Sequence, residues 1–237
     1  MTPAPAWQSF IAIALLLVAA RLLLAAGRRL AASGAQRPAS GQPLYLPAAC
    51  ALAFVLLTLL LLTGAWLPAV DAAVRHAVRN LYADAFVHAC LFVTAFGDTV
   101  VLIAVTAAAL VWLWLRRQRR TAYGLVTSAL GAQLSVYALK YTINRPRPPF
   151  EAFAHAASPS FPSAHATAAV AVYGFVIHAL TRHLPQRLRR ECLFWGGCAI
   201  ALLAASRVII GVHYLSDVLA GLLLGMCWLT LGRRVAV

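Results

Sequence analysis

The stretch from His213 to Gly232, HYLSDVLAGLLLGMCWLTLG, is the clearest indication of the fold class of this chain. It is long and apolar enough to cross a bilayer as a helix, which takes about 20 residues. The only histidine and the only carboxylate in it, His213 and Asp217, stand near its start. Two ionisable groups at the N-terminal end of a membrane-spanning helix predict a polar site at one face of the membrane.

Six further apolar segments precede this stretch. Because backbone inside a bilayer must satisfy its own hydrogen bonds, we expect each of them to be a helix. Between Asp71 and Phe86, alanine, valine and leucine are spaced among Arg75, Arg79 and Asp84, which predicts an amphipathic helix lying at the interface. The sequence therefore predicts an all-α, polytopic transmembrane bundle, with apolar segments at about 7–27, 45–69, 88–115, 121–142, 164–181, 191–209 and 213–232.

Composition agrees with this fold class and excludes others. Of the 237 residues, 62% are hydrophobic and only 11% are charged, and the mean hydropathy is +0.81. Ordinary soluble domains are about half apolar, so a soluble protein is excluded. The net charge of +14 comes from arginines in loops and not from a basic face with interleaved aromatics, which argues against nucleic acid as a partner.

The arginines also predict how the chain is oriented. They concentrate in four places that share one face if the segments alternate across the membrane, and the positive-inside rule makes that face cytoplasmic. The C-terminus is then inside, and the opposite face points to the periplasm or the outside of a bacterial inner membrane. These places are residues 28–37, 116–120, 182–190 and 233–234.

Three polar clusters remain on the predicted outer face, each at the end of a helix. They are KYTINRPRP at 140–148, PSAH at 162–165, and the run from Ser206 to Asp217. Polar groups beside membrane helices are costly and indicate function. Lys140, Arg147 and Arg207 supply positive charge suited to phosphate oxygens.

The second and third clusters add groups that react or bind. We expect Ser163 to cap the helix that follows it, whose free N–H groups form a ready phosphate site. His165 and His213 are the plausible nucleophiles or proton carriers. Asp217 follows His213 by four residues, and we expect it to share a helical face and accept the N–H of that ring.

The acidic residues predict that no metal and no cofactor take part. Asp71, Asp84, Asp98, Glu151, Glu191 and Asp217 are the only acids of the chain, and no two of them are spaced to hold Mg²⁺. Lysine and arginine would then offset the charge of a transferring phosphoryl group.

The three clusters, read in order as Lys-x6-Arg-Pro, Pro-Ser-x-His and Ser-Arg-x5-His-x3-Asp, resemble the type 2 phosphatidic acid phosphatase (PAP2) family. The resemblance covers roughly residues 45–232 and implies a six-helix core without a metal. It divides the chain into an extra N-terminal transmembrane helix and loop at 1–44 and a PAP2-like core at 45–237. Bacterial members of the family include undecaprenyl pyrophosphate and phosphatidylglycerophosphate phosphatases.

The resemblance also implies a role for each residue. His213 would be the nucleophile that forms a phosphohistidine, Asp217 would orient it, and His165 would protonate the leaving group. The phosphate would be held by Lys140, Arg147, Ser163, Ala164 and Arg207. Ala164 departs from the family pattern, which usually has glycine there; it keeps its backbone N–H, and phosphate binding survives if its conformation is right-handed.

The sequence leaves the substrate open among several readings. The leading expectation is undecaprenyl pyrophosphate, because the site faces outward and the loops are short. Phosphatidic acid, phosphatidylglycerophosphate and a lipid phosphotransferase with the same site are the enzyme alternatives. A membrane scaffold or transporter is the alternative from another class. Membrane lipids are the expected partners, and the sequence does not specify an oligomeric state.

Overall fold

The structure, a computed structural model, describes residues 45–64, 66–79, 84–149 and 158–237. The predicted helix at 7–27 and the whole 1–44 region lie outside these residues. All regular secondary structure in the described part is helical. The helices are α1 Tyr45–Leu62, α2 Leu67–Arg79, α3 Asp84–Ala95, α4 Thr99–Leu115, α5 Arg119–Ile143, α6 Ala164–Thr181, α7 Gln186–Ile209 and α8 Leu215–Val235.

These helices form the predicted membrane bundle. By length and composition α1, α5, α6, α7 and α8 are able to cross a membrane, and the bent pair α3–α4 gives a sixth span. The prediction of an all-α, polytopic fold is confirmed. Helix α8 lies at the centre, where it packs against α5, α1 and α6.

Two predicted segments are wrong because each is broken in two. The segment at 45–69 ends at Leu62, where Gly64 adopts a φ of +65°, a conformation typical of a residue just past a helix end. The segment at 88–115 bends by 44° at Gly97 and Asp98, between α3 and α4. Both breaks lie at the same end of the bundle, where they place polar groups beside one another.

Two further helix boundaries also differ from the prediction. The interfacial helix expected at 71–86 is instead α2, Leu67–Arg79, in which Asp71 is buried and not solvated. Helix α7 begins at Gln186, five residues before the predicted 191. The prediction stopped short because of Arg187, Arg189 and Arg190, yet long cationic side chains are tolerated at the ends of membrane helices.

A pair of glycines on α8 allows α6 to pack against it at close range. A Cβ at Gly221 would lie 2.7 Å from the carbonyl oxygen of Ser163, and one at Gly225 would lie 2.6 Å from that of Thr167. Small residues four apart permit this approach of helix backbones in membranes. The close contact joins the start of α6 to the start of α8, where the Ser163 N–H donates to the Asp217 carbonyl at 3.0 Å.

We predict that Gly225→Ala destabilises the protein although alanine is the better helix former. The added methyl group would press on backbone, and overpacking of this kind costs about 1–3 kcal/mol, which exceeds the gain of about 1 kcal/mol in helix propensity. Gly197 on α7 is the matched control, because a Cβ there meets nothing within 4 Å. In detergent, the thermal midpoint of Gly225→Ala should fall while that of Gly197→Ala stays or rises. Equal midpoints would contradict the packing argument.

Candidate active site

The three polar clusters meet in one cavity of about 270 Å³ at one end of the bundle. Lys140, Arg147, His165, Arg207 and His213 all line it. The opposite end is marked by Arg120, which donates to the carbonyl oxygen of Val237 at 3.0 Å. Residues up to 73 positions apart in sequence therefore share a single space large enough for a phosphate group.

His213 is the most buried ionisable group that lines the cavity, with 3% of its surface exposed. Its Nδ1 lies 3.5 Å from Asp217 Oδ2, and its Nε2 lies 3.4 Å from Arg147 Nη1. A neutral ring with its proton on Nδ1, facing the carboxylate, keeps the lone pair of Nε2 for attack. The arrangement places a carboxylate beside Nδ1 of the candidate nucleophile and a cation beside its Nε2.

The helical face expected for His213 and Asp217 is wrong, although the two side chains do meet. His213 lies in the turn before α8, which begins at Leu215. Asp217 is the third residue of α8, and its Oδ2 accepts the backbone N–H of Tyr214 at 2.9 Å. The carboxylate therefore turns back over the helix start, as an acid in the first turn does, and reaches the ring from there.

Burial determines the charge of His213. It lowers the pKa of the ring to about 4, against the opposing effect of Asp217, and the positive charges of Arg147 and Arg207 lower it further. Burial also lowers the pKa of Arg147, while Asp217 opposes the shift; a guanidinium still stays charged at pH 7. The imidazole is therefore neutral at pH 7, as a nucleophile must be.

Arg145 holds Asp217 in place from the other side. Its Nη1 donates to Asp217 Oδ1 at 2.5 Å and to Ser216 Oγ at 2.8 Å, and its Nη2 donates to Asp71 Oδ2 at 2.8 Å. Asp71 Oδ1 in turn accepts the backbone N–H of Ser216 at 3.0 Å. The guanidinium thus joins α2, the chain after α5 and the start of α8.

Sequence reasoning missed this network. Asp71 was expected on an interfacial helix, and Arg145 was considered only as a lesser candidate for phosphate contact. A usable signal was present, because a chain with only six acids places one of them, Asp71, beside an apolar run. A buried carboxylate needs a cationic partner, and the arginine next to the Arg-Pro pattern is a natural candidate.

Lys140 and Arg147 are held by the loop that precedes α6. Lys140 Nζ donates to the carbonyl oxygen of Pro159 and, at 3.2 Å, to Ser158 Oγ. Arg147 Nε donates to the carbonyl oxygen of Ser158 at 2.8 Å, and its Nη1 donates to that of Val212 at 2.7 Å. None of these acceptors carries a formal charge, so both side chains are fixed in place and keep their positive charge for an anion.

Arg207 and Ser163 carry buried polar atoms that no described residue binds. Arg207 Nη1 donates to Thr94 Oγ1 at 2.5 Å, whereas its Nε has no partner. Ser163 stands at the start of α6 as predicted, but its hydroxyl does not cap the helix and also lacks a partner. Leaving such atoms unpaired costs about 1–3 kcal/mol each, so they are suited to an incoming anion.

Ala164 is the first residue of α6 and has a right-handed conformation. The strain that a left-handed alanine would carry is therefore absent. Ala164 also lines the cavity beside His165.

His165 has a carboxylate of its own. Its Nε2 lies 3.2 Å from Oδ1 of Asp98, the residue at the bend between α3 and α4. A Cβ at Gly97 would lie 2.6 Å from the His165 ring, so this glycine lets the backbone pack directly on the imidazole. Sequence reasoning gave Asp98 no part in the site, because the bend that brings it there was read as continuous helix.

No group of three histidine, cysteine or acidic side chains in the described part of the chain is arranged to hold a metal ion. The absence of a metal and of a cofactor stays a prediction.

The three clusters occupy the part of the chain that matches a known family. Residues 121–236 match the family model of the PAP2 superfamily. Close to half of the chain is therefore similar to this family. The resemblance inferred from the three clusters is thereby confirmed.

Relatives of this chain are known among curated proteins and solved structures. Phosphatidylglycerophosphatase B of Bacillus subtilis (strain 168) is 39% identical over 90 residues, which are 37% of this chain and 44% of that protein. The chain thus matches less than half the length of that relative. The transmembrane PAP2-type phosphatidylglycerolphosphate phosphatase from Bacillus subtilis superposes with a TM-score of 0.74 at 26% identity, over 80% of this chain and 94% of that one.

A second solved structure shares the fold alone. Aquifex aeolicus LpxE superposes with a TM-score of 0.53 at 21% identity, over 68% of this chain and 93% of its own. The helical fold of this chain is therefore common to both solved structures.

We predict that the imidazole of His213 stays neutral as the pH falls from 8 to about 5, because burial holds its pKa near 4. The measurement is a pH titration of histidine ring nitrogens by NMR, with His213→Ala to identify the signal. The unfolded chain takes up this proton near pH 6.5, so the stability that the neutral ring contributes is full above that pH and is lost as the pH falls toward 4. A His213 midpoint near 6.5 would overturn the prediction.

Proposed function

We propose that this protein is a membrane phosphatase that removes a phosphate group from a lipid through a phosphohistidine on His213. One observation carries the proposal: a neutral imidazole, with Asp217 behind Nδ1 and Arg147 3.4 Å from Nε2, lines a cationic cavity within a membrane bundle. The phosphatase names of the relatives agree with it. A scaffold or transporter would not require this arrangement.

The phosphate would bind between the cations and the start of α6. Lys140, Arg147 and Arg207 would offset its charge, and Ser163 Oγ with the Ala164 N–H would donate hydrogen bonds at the positive end of the helix dipole. Phosphoryl transfer depends on such positioning and charge stabilisation more than on covalent chemistry. These ligands surround Nε2 of His213, which attacks the phosphorus.

The reaction would proceed in two balanced steps. In the first, the bond from His213 Nε2 to phosphorus forms as the bond from phosphorus to the lipid oxygen breaks. His165 gives its proton to that oxygen, and Asp217 stabilises the positive charge on the phosphorylated ring. In the second, His165 takes a proton from water, whose oxygen attacks phosphorus. The bond to Nε2 breaks, and inorganic phosphate leaves.

The lipid chain would lie along the membrane side of the same cavity. Apolar side chains from α4, α5 and α6 line it there, namely Leu102, Val136 and Ala168. Tyr137 and Tyr141 on α5 are exposed at its edge, with ring centroids 4.8 Å apart. A site at this depth would receive its substrate from the bilayer, from the outer leaflet of a bacterial inner membrane if the arginine-rich end is cytoplasmic.

The names of the relatives favour phosphatidylglycerophosphate as the substrate. A second candidate is undecaprenyl pyrophosphate, the leading expectation from sequence. A separate apolar cavity of about 270 Å³ supports it, because that cavity lies farther along the same three helices and is lined by Val105, Leu113, Leu125, Phe175 and Leu180. A long isoprenoid chain would use both cavities, whereas the shorter chains of a glycerophospholipid would depend on the first.

We predict that brief exposure to ³²P-labelled lipid phosphate leaves label on the protein that is stable in alkali and released by acid, as a phosphohistidine is. His213→Ala should carry no label and lose at least about a thousandfold in turnover, the scale seen when a catalytic nucleophile is removed. His76→Ala is the control, because this histidine is exposed on α2. Label that persists in His213→Ala would end the proposed mechanism.

The substrate is tested by phosphate release from a lipid panel in EDTA. We expect phosphatidylglycerophosphate to be hydrolysed fastest if the relatives are a guide. Leu113→Trp and Phe175→Trp, which would fill the second cavity, should then leave its turnover unchanged. If the wild type instead releases phosphate faster from undecaprenyl pyrophosphate, and Leu113→Trp and Phe175→Trp lose this activity, undecaprenyl pyrophosphate becomes the favoured substrate. Transfer of label to a second lipid in place of water would favour the phosphotransferase.

A further inference from the structure

A second cationic cluster lies at the opposite end of the bundle from the active site. It consists of Arg182 directly after α6, Arg189 on α7 and Arg233 on α8, and their positive charges all act on His178 near the end of α6. Arg182 Nη1 donates to Thr121 Oγ1 at 2.8 Å, which ties the cluster to the start of α5. Three helices therefore bring guanidinium groups together at the end that the sequence predicts to be cytoplasmic.

No ion pair balances the cluster in the described part of the chain, because Glu191, the acid nearest to it in sequence, is exposed on α7 and forms none. None of its arginines pairs with a carboxylate there, and the ion pairs of Asp71, Asp98 and Asp217 lie at the other end. The Nε atoms of Arg189 and Arg233 are buried and lack a hydrogen-bond partner among the described residues. A buried donor without a partner is unfavourable, and a group of cations without an anion is more so.

The position of Arg189 adds a second, independent indication of an anion. It lies in the first turn of α7, which has no acidic residue and no side-chain cap. The start of a helix carries a partial positive charge and free N–H groups, so a cation there is disfavoured and an anion is favoured. Arg187 and Arg190, which flank it, are exposed to solvent and avoid this conflict.

The positive-inside rule alone does not account for this arrangement. That rule requires only that arginines stay on the cytoplasmic side, where long side chains normally extend outward to water or lipid head groups. Arg187 and Arg190 do so. Arg189 and Arg233 instead bury their Nε atoms between helices, as the ligands of a bound group would.

We propose that Arg182, Arg189, Arg233 and the start of α7 bind a phosphate group, presented by the head group of an anionic phospholipid or as free phosphate. The guanidinium fork matches phosphate oxygens, and basic pockets between helices at the cytoplasmic side suit anionic lipid head groups. This site is separate from the catalytic cavity and does not depend on the proposed reaction.

Native mass spectrometry of the full-length protein in an uncharged detergent, with lipid present, tests the site. Phosphatidylglycerol should remain bound to the wild type, and phosphatidylcholine should not. Arg189→Gln and Arg233→Gln should each weaken the bound phosphatidylglycerol at least about tenfold, the loss expected for one charge-assisted hydrogen bond. Arg187→Gln and Arg190→Gln, on the same turns of α7, should bind as the wild type does.

Two further arms separate the sources and keep the test decisive. Phosphate bound in the catalytic cavity raises the thermal midpoints of the wild type and of Arg189→Gln alike. If 10 mM inorganic phosphate raises the midpoint of the wild type by more than that of Arg189→Gln, and no lipid remains bound, the ligand of the second site is free phosphate. Arg189→Lys should restore part of the binding, which a variant that merely misfolds would not do. Equal binding by all the glutamine variants, with no difference in the phosphate effect, would overturn the proposal.

Discussion

The partly buried guanidinium of Arg145 is the contact on which the active-site end of the bundle depends. It joins Asp71 of α2 to Asp217 of α8 and also contacts Ser216, while its own backbone carbonyl accepts the Ser160 N–H at 2.9 Å. A buried ion pair stabilises only when further hydrogen bonds satisfy both charges, and here they do. Removal of one partner from such a network typically costs about 3–5 kcal/mol, because a charge is left unpaired. The orientation of Asp217, and through it of His213, follows from this contact.

The cations around the cavity divide into two kinds according to their partners. Arg145 is neutralised by carboxylates and serves the scaffold. Lys140, Arg147 and Arg207 are instead held by carbonyl and hydroxyl oxygens, which fix their position and leave their charge uncompensated. In a cavity of low dielectric this uncompensated charge attracts a phosphate more strongly than it would in water. Two arginines of one Arg-Pro-Arg-Pro run thus take opposite roles because of what surrounds them, and not because of their chemistry.

The sequence was sufficient for the all-helical membrane fold and for the charged residues and histidines that line the cavity, because hydropathy and the grouping of polar residues at helix ends are local properties. It did not reveal the bend at Gly97, since two apolar helices in succession have the same hydropathy as one. It did not reveal Asp98 or Asp71 as partners of His165 and Arg145, because contacts across more than 60 residues leave no local pattern. The sequence predicted that His213 and Asp217 share a helical face. The contact between them depends instead on the turn before α8, in which His213 lies.

The distribution of acids explains how a cationic site is compatible with the outward orientation that the arginines predict. The four cations of the site, Lys140, Arg145, Arg147 and Arg207, would oppose the positive-inside rule if they stood alone. Asp71, Asp98 and Asp217 lie among them, so three negative charges stand against these four, although only Arg145 pairs directly with carboxylates. At the other end Arg182, Arg189 and Arg233 have no such partners in the described residues. The charge asymmetry that predicts the orientation of the chain therefore depends on where its few acids lie as much as on where its arginines lie. Two of the acids that offset the positive charge of the site, Asp98 and Asp217, also contact its two histidines.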